Sequence, residues 1–143
     1  MHMAEAEVKE YLKQIELIDN RINCKLEEVD KLKALTTKIT TTLKQDVVSS
    51  SGSQDRLGDT VAKIVDFEAE IDHLIDELID KKREISSIIE RVTDPDQLKV
   101  LCKRYLLFEP WEQIAWELGY TYRHTTRIHG EALLAVQEIM KGK

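Results

Sequence analysis

Arg123 and Arg127 stand four residues apart within LGYTYRHTTRIHGEAL, Leu118 to Leu133, in a chain whose formal net charge is -6. Residues at that spacing share a face if the segment is helical, so two guanidinium groups would project together. Each guanidinium can donate paired hydrogen bonds to an oxyanion, or to two acceptors lying in one plane. Tyr122 and Thr126 add hydroxyls beside them, and Glu131 is the one acid of the stretch. His124 and His129 contribute ring nitrogens whose charge depends on their surroundings. Such chemistry suits recognition. A hydrolytic triad or a metal site needs carboxylates and histidines that converge, and nothing in the spacing gathers them. The plain alternative is a helix packed for stability, its cations merely solvated.

Presenting these side chains requires a particular pair of helices. In WEQIAWEL, Ile114, Ala115 and Leu118 fall on one face, and Gly119 comes at once after them. Glycine takes the left-handed conformation that ends a helix and turns the chain sharply. Thr121 is placed to cap the next helix, whose inner face would hold Thr125, Ile128, Ala132 and Leu133. Ala115 is small where that helix must approach. The spacing therefore predicts a helix-turn-helix. With Thr125 and Ile128 inward, Tyr122, Arg123, Thr126 and Arg127 point out near the end that enters a DNA major groove in such motifs. Arginine can bond guanine O6/N7 or phosphate, threonine either a base or phosphate, and tyrosine a phosphate.

Just upstream, Asp94, Pro95 and Gln97 form a helix-start signature. A helix is expected through Leu98, Leu101, Cys102, Tyr105 and Leu106, with another start at Pro110.

The first two-thirds of the chain has a different pattern. Val8, Tyr11, Ile15, Ile18, Ile22, Val29, Leu32, Ile39 and Leu43 recur at steps of three and four; Lys25 and Thr36 interrupt the seam, with Leu26 and Leu35 alongside as partial substitutes. This predicts one long amphipathic helix. Four serines and two glycines between Asp46 and Asp59 predict a flexible connection, about residues 46–58, with Asp59 capping a second long helix. From Val61 to Val92 a broader stripe comprises Val61, Ile64, Phe67, Ile71, Leu74, Ile75, Leu78, Ile85, Ile88, Ile89 and Val92. Two long helices and a short connection fold most simply as an antiparallel, coiled-coil-like hairpin. The broad second stripe favours self-association, as a homodimer or a higher homo-oligomer.

Composition sets the limits. Only five glycines and two prolines occur in 143 residues, which favours an all-α fold over a many-turned β protein. Six of the eight aromatic residues fall in the last 40 positions, so a compact core is expected there. Residues 1–48 hold nine acids and eight bases, and residues 49–93 hold eleven and six. Residues 94–143 balance at seven and seven, so a polyanion would bind near the end if anywhere. Cys24 and Cys102 are too few for a disulfide scaffold, and no Cys/His cluster has zinc spacing. With no apolar run of about 20 residues and no signal-peptide pattern, a reduced cytoplasmic protein without membrane contact is expected. The opening MHM reads as an addition to the natural chain, so His2 is set aside.

LCKRYLLFEPWEQIAWELGYTYRHTTRIHGEALLAV, Leu101 to Val136, resembles the C-terminal helix-turn-helix of bacterial sigma factors, which reads the upstream promoter element. The shared skeleton is Leu101, Arg104, Tyr105, Ile114, Ala115, Leu118, Gly119, Thr121, Ile128, Ala132 and Leu133. With EYLKQIELIDNRINCKLEEVDKLKAL, the resemblance extends to small sigma-like phage and prophage proteins of gram-positive bacteria. Members are mostly of undefined function, of the late-gene transcriptional regulator type. Thr125 departs from the usual Val or Ile, His124 from Arg, and Pro110 from a capping Thr or Ser. Nothing resembles the sigma-factor domain that melts DNA, so a complete sigma factor is not implied.

The expectation is therefore an all-α chain with a helical hairpin at 1–93 and a sigma-like DNA-binding domain at 94–143. Its partner would be double-stranded DNA. The hairpin would dimerise or contact RNA polymerase, and no enzyme activity, cofactor or metal is expected. The alternatives are a helical adaptor whose helix-turn-helix does not bind DNA, and a small terminase-like packaging subunit.

Overall fold

The computed structural model describes residues 4–45 and 51–142, and among these residues the chain is helical with no strands. The helices are α1 (Glu5–Leu12), α2 (Gln14–Gln45), α3 (Ser51–Ile89), α4 (Pro95–Leu101), α5 (Trp111–Leu118) and α6 (Tyr122–Lys141). A π-helical turn, Cys102–Leu106, prolongs α4. No helix among the described residues is long and apolar enough to cross a membrane.

The chain divides into two compact units. One is Asp19–Glu77, where α2 and α3 run alongside each other in opposite directions: Lys25 pairs with Glu70 at 3.0 Å and Lys33 with Glu68 at 3.6 Å. Ile22, Val29, Ile39, Ile64 and Ile71 are buried between them, as the three-four spacing requires, whereas Val61 and Ile75 of the expected stripe, and Leu26 and Leu35 beside the seam, are exposed. The two polar interruptions of the seam are accommodated locally. Lys25 lies 4.5 Å from the centre of the Phe67 ring while bonding Glu70, and the Thr36 hydroxyl donates to the Leu32 carbonyl at 2.9 Å.

Two expectations about these helices need correction. The first helix is not continuous, because Lys13, with ψ of -9°, interrupts it between α1 and α2. Backbone bonds from Lys13 N–H to the Lys9 carbonyl and from Leu17 N–H to the Lys13 carbonyl carry the chain through. No proline or glycine marks the place. The serine- and glycine-rich segment is not a loop through residue 58 either, since α3 already includes Ser51 to Gly58 and Asp59 lies inside it rather than capping it. Residues 46–50 lie outside the described residues. Extending a helix adds a hydrogen bond per residue without a new nucleus. That gain offsets the roughly 0.5–1 kcal/mol propensity cost of each serine or glycine. Thr60 is buried on this helix, and its hydroxyl donates to the Arg56 carbonyl at 2.7 Å.

The other unit takes in residues up to Ile18 and from Leu78 onward. Its core gathers Val8, Leu12 and Ile15 with Ile85, Ile88, Ile89 and Val92, and with Leu101, Tyr105, Ala132, Leu133 and Val136. A division at residue 93 runs through this core. The apolar positions of 5–18 and 78–92 close over α4 and α6 because neither pair of helices alone can bury its stripe. A second cluster, Val100, Ile114 and Ile128, sits under Trp111 and Leu118 and joins α4, α5 and α6.

Candidate nucleic-acid interface

The site is built from its caps. Asp94 accepts from Gln97 N–H at 3.0 Å and starts α4, with Pro95 at the first helical position. Pro110 starts α5 without a side-chain bond. At the far end of α5, Gly119 adopts φ of 75° and ψ of 26°. Its N–H bonds the Trp116 carbonyl at 3.2 Å, and Tyr120 N–H bonds the Ala115 carbonyl at 3.0 Å. These nested bonds satisfy carbonyls that the helix end leaves open, and the chain is redirected within three residues. Thr121 then caps α6, its hydroxyl accepting from His124 N–H at 3.0 Å.

That geometry sorts the side chains. Ile114, Ala115, Thr125 and Ile128 are buried, and Leu118 is half-buried. Thr125 is fully enclosed, and its hydroxyl donates to the Thr121 carbonyl at 2.9 Å, so its polarity there is satisfied. Tyr122, Arg123 and Arg127 are exposed and Thr126 is half-buried. Thr121, Arg123, His124, Thr126 and Arg127 border an open hollow at the start of α6. Neither arginine is in an ion pair with a described carboxylate, so both keep donors for a ligand. The first turn of α6 holds no acid, which leaves the positive end of the helix dipole uncompensated by its own side chains.

The two histidines differ in kind. His129 is buried, 2.6 Å from the Tyr105 hydroxyl and edge-on to Trp111 at 4.6 Å between ring centres. Burial pushes its pKa down to about 4, and Lys9, Arg104 and Lys13 add to the effect. It is therefore a neutral core residue and no part of a cationic surface. His124 stays at the surface, its Nδ1 2.7 Å from an Arg127 nitrogen and its ring edge-on to Tyr120 at 4.6 Å.

Several contacts that hold the site gave no signal in the sequence. The Tyr120 hydroxyl donates to Asp96 at 2.7 Å, tying the turn to α4, and that bond holds its pKa above the usual phenol value. Arg104 lies 4.6 Å over the Trp111 ring and donates to the Glu109 carbonyl at 3.0 Å. It braces the approach to α5, where Phe108 takes a left-handed φ of 58°. Lys103 reaches Glu117 at 3.0 Å, and Glu109 and Glu117 face each other beside it. The neighbouring Glu117 holds Glu109 above the usual carboxylate range, while Glu109 and Lys103 hold Glu117 below it. Only the shared spacing of hydroxyl, carboxylate and guanidinium across the turn could have hinted at these links, and sequence distance hides it.

Among the described residues no group of three or more His, Cys, Asp or Glu side chains converges as metal ligands would. Compared with protein-family models, with characterised proteins and with solved structures, the chain gives no match.

Proposed function

We propose that this chain is a sequence-specific DNA-binding regulator of transcription, of the phage or prophage type. In this reading α5, the Gly119 turn and α6 act as a helix-turn-helix, and α6 enters the major groove. The observation that carries it is the pair of exposed guanidiniums, Arg123 and Arg127, at the capped start of a helix whose opposite face is buried. Tyr122 and the α6 N-terminus suit backbone phosphates, which position the protein, while Arg123, Thr126 and Arg127 suit base edges. No chemical step is involved.

The Asp19–Glu77 unit, with more acids than bases, would serve contacts with protein, either a second copy or RNA polymerase. Leu26, Leu35, Val61, Val65 and Ile75 of the Asp19–Glu77 unit are exposed apolar side chains that support this role. Two copies would favour a repeated or palindromic site. The same residues support the second reading, a helical adaptor that does not bind DNA. Salt separates the two: binding through several phosphates falls steeply with added salt, whereas apolar helix pairing persists.

Arg123→Ala combined with Arg127→Ala is expected to abolish the specific gel shift of promoter DNA from the chain's own genome. Each good bidentate arginine contact is worth about 1–3 kcal/mol of discrimination. Unchanged specific binding by the double variant would remove α6 as the reading helix.

A further inference from the structure

We propose that His124 is a positioning residue for Arg127, and that Asp96, Tyr120 and His124 together fix this arginine for a guanine. The inference rests on the DNA-binding reading above and assigns unequal tasks to the two arginines.

The Asp96 carboxylate accepts from the Tyr120 hydroxyl at 2.7 Å. The Tyr120 ring meets His124 edge to face, at 4.6 Å and 89°. His124 Nδ1 then lies 2.7 Å from Arg127. Arginine can only donate, so Nδ1 is the acceptor and the ring proton sits on Nε2. The series begins in the first turn of α4, passes through the turn after α5 and ends on the outer face of α6. An exposed guanidinium is thus connected to a second helix through three side chains.

The bond to His124 uses one of the five guanidinium donors and leaves enough for a bidentate pair. An untethered arginine loses much rotamer freedom on binding. A tethered one has lost part of it beforehand, so more of its binding energy appears as discrimination. The ligand that suits a held, planar, two-donor group in a major groove is the O6/N7 edge of guanine. No such side-chain tether holds Arg123 among the described residues, which suits an adaptable contact to phosphate or to more than one base.

The test is selection of binding sites from a random duplex pool, with full-length wild type, His124→Leu, His124→Asn, Tyr120→Phe and Arg127→Ala. Wild type should select a site with a guanine whose preference disappears in Arg127→Ala. His124→Leu should weaken the preference for that same guanine by about ten-fold. Affinity for a non-specific duplex should fall less than the guanine preference does, because the phosphate contacts assigned to Tyr122 do not pass through the His124 ring. Asparagine places an acceptor oxygen near the position of Nδ1, so His124→Asn should recover part of the preference, and Tyr120→Phe should lose part of it. Full guanine preference in His124→Leu would overturn the positioning role while leaving DNA binding in place. A wild-type protein that retains no DNA from the pool would overturn the functional reading itself, and the positioning role with it.

Discussion

His129 shows how much one residue's surroundings decide. Its ring lies against Tyr105 and Trp111, with the Tyr105 hydroxyl 2.6 Å from Nε2. Burial lowers its pKa to about 4, below the ordinary value of about 6.5. The unfolded chain therefore takes up this proton at higher pH than the folded one. Stability from this group is complete above pH of about 6.5 and falls as pH drops towards about 4, by at most ~1.4 kcal/mol per pH unit. Urea midpoints measured across that range should decline more steeply for wild type than for His129→Gln, since the carboxylates common to both cancel in the difference. Equal slopes would mean that the ring is charged in the folded state.

At the scale of elements, the turn between α5 and α6 depends on one backbone conformation. Gly119 has φ of 75°, and a Cβ added there would meet nothing within 4 Å. The demand for glycine is thus conformational and not steric. Gly119→Ala should cost about 1–2 kcal/mol, the left-handed penalty of an ordinary residue, while Gly119→Asn should cost less. Denaturant titration checks both, and an alanine variant as stable as wild type would contradict the account. This turn was legible in the sequence because glycine after an apolar helix, with threonine two residues later, is a local signal. The helical state of Ser51 to Gly58 was not legible. Its local composition favours a loop, and the deciding contribution is extension backwards from the regular helix beyond it.

At the scale of the whole molecule, the chain's two ends share one core. Leu12 is fully buried among Ile85, Ile89, Leu101, Tyr105, Leu133 and Val136. Leu12→Ala should destabilise that unit by about 2–5 kcal/mol. Trp111 and Trp116 both belong to α5, so their fluorescence reports on the C-terminal segment alone. The tryptophan transition should move to lower denaturant when Leu12 is truncated. An unmoved transition would restore an independent domain beginning at residue 94. The spacing of apolar residues predicts that Val8, Ile15, Ile85 and Ile89 lie inside, but it does not name the residues that cover them.

What the sequence by itself determined is whatever depends on near neighbours. Three-four periodicity gave the long helices, Asp94 and Thr121 gave helix starts, Gly119 gave the turn, and the inward placement of Thr125 and Ile128 left Arg123 and Arg127 outside. These features obey hydrogen-bond and steric rules acting over a few residues. Only the tertiary structure decided that His129 is a neutral core residue and that Tyr120 reaches Asp96. It alone brought Tyr120 to the His124 ring that meets Arg127, and closed residues 5–18 over α6. Burial and contact between distant segments depend on the path of the chain through space, which no local spacing contains.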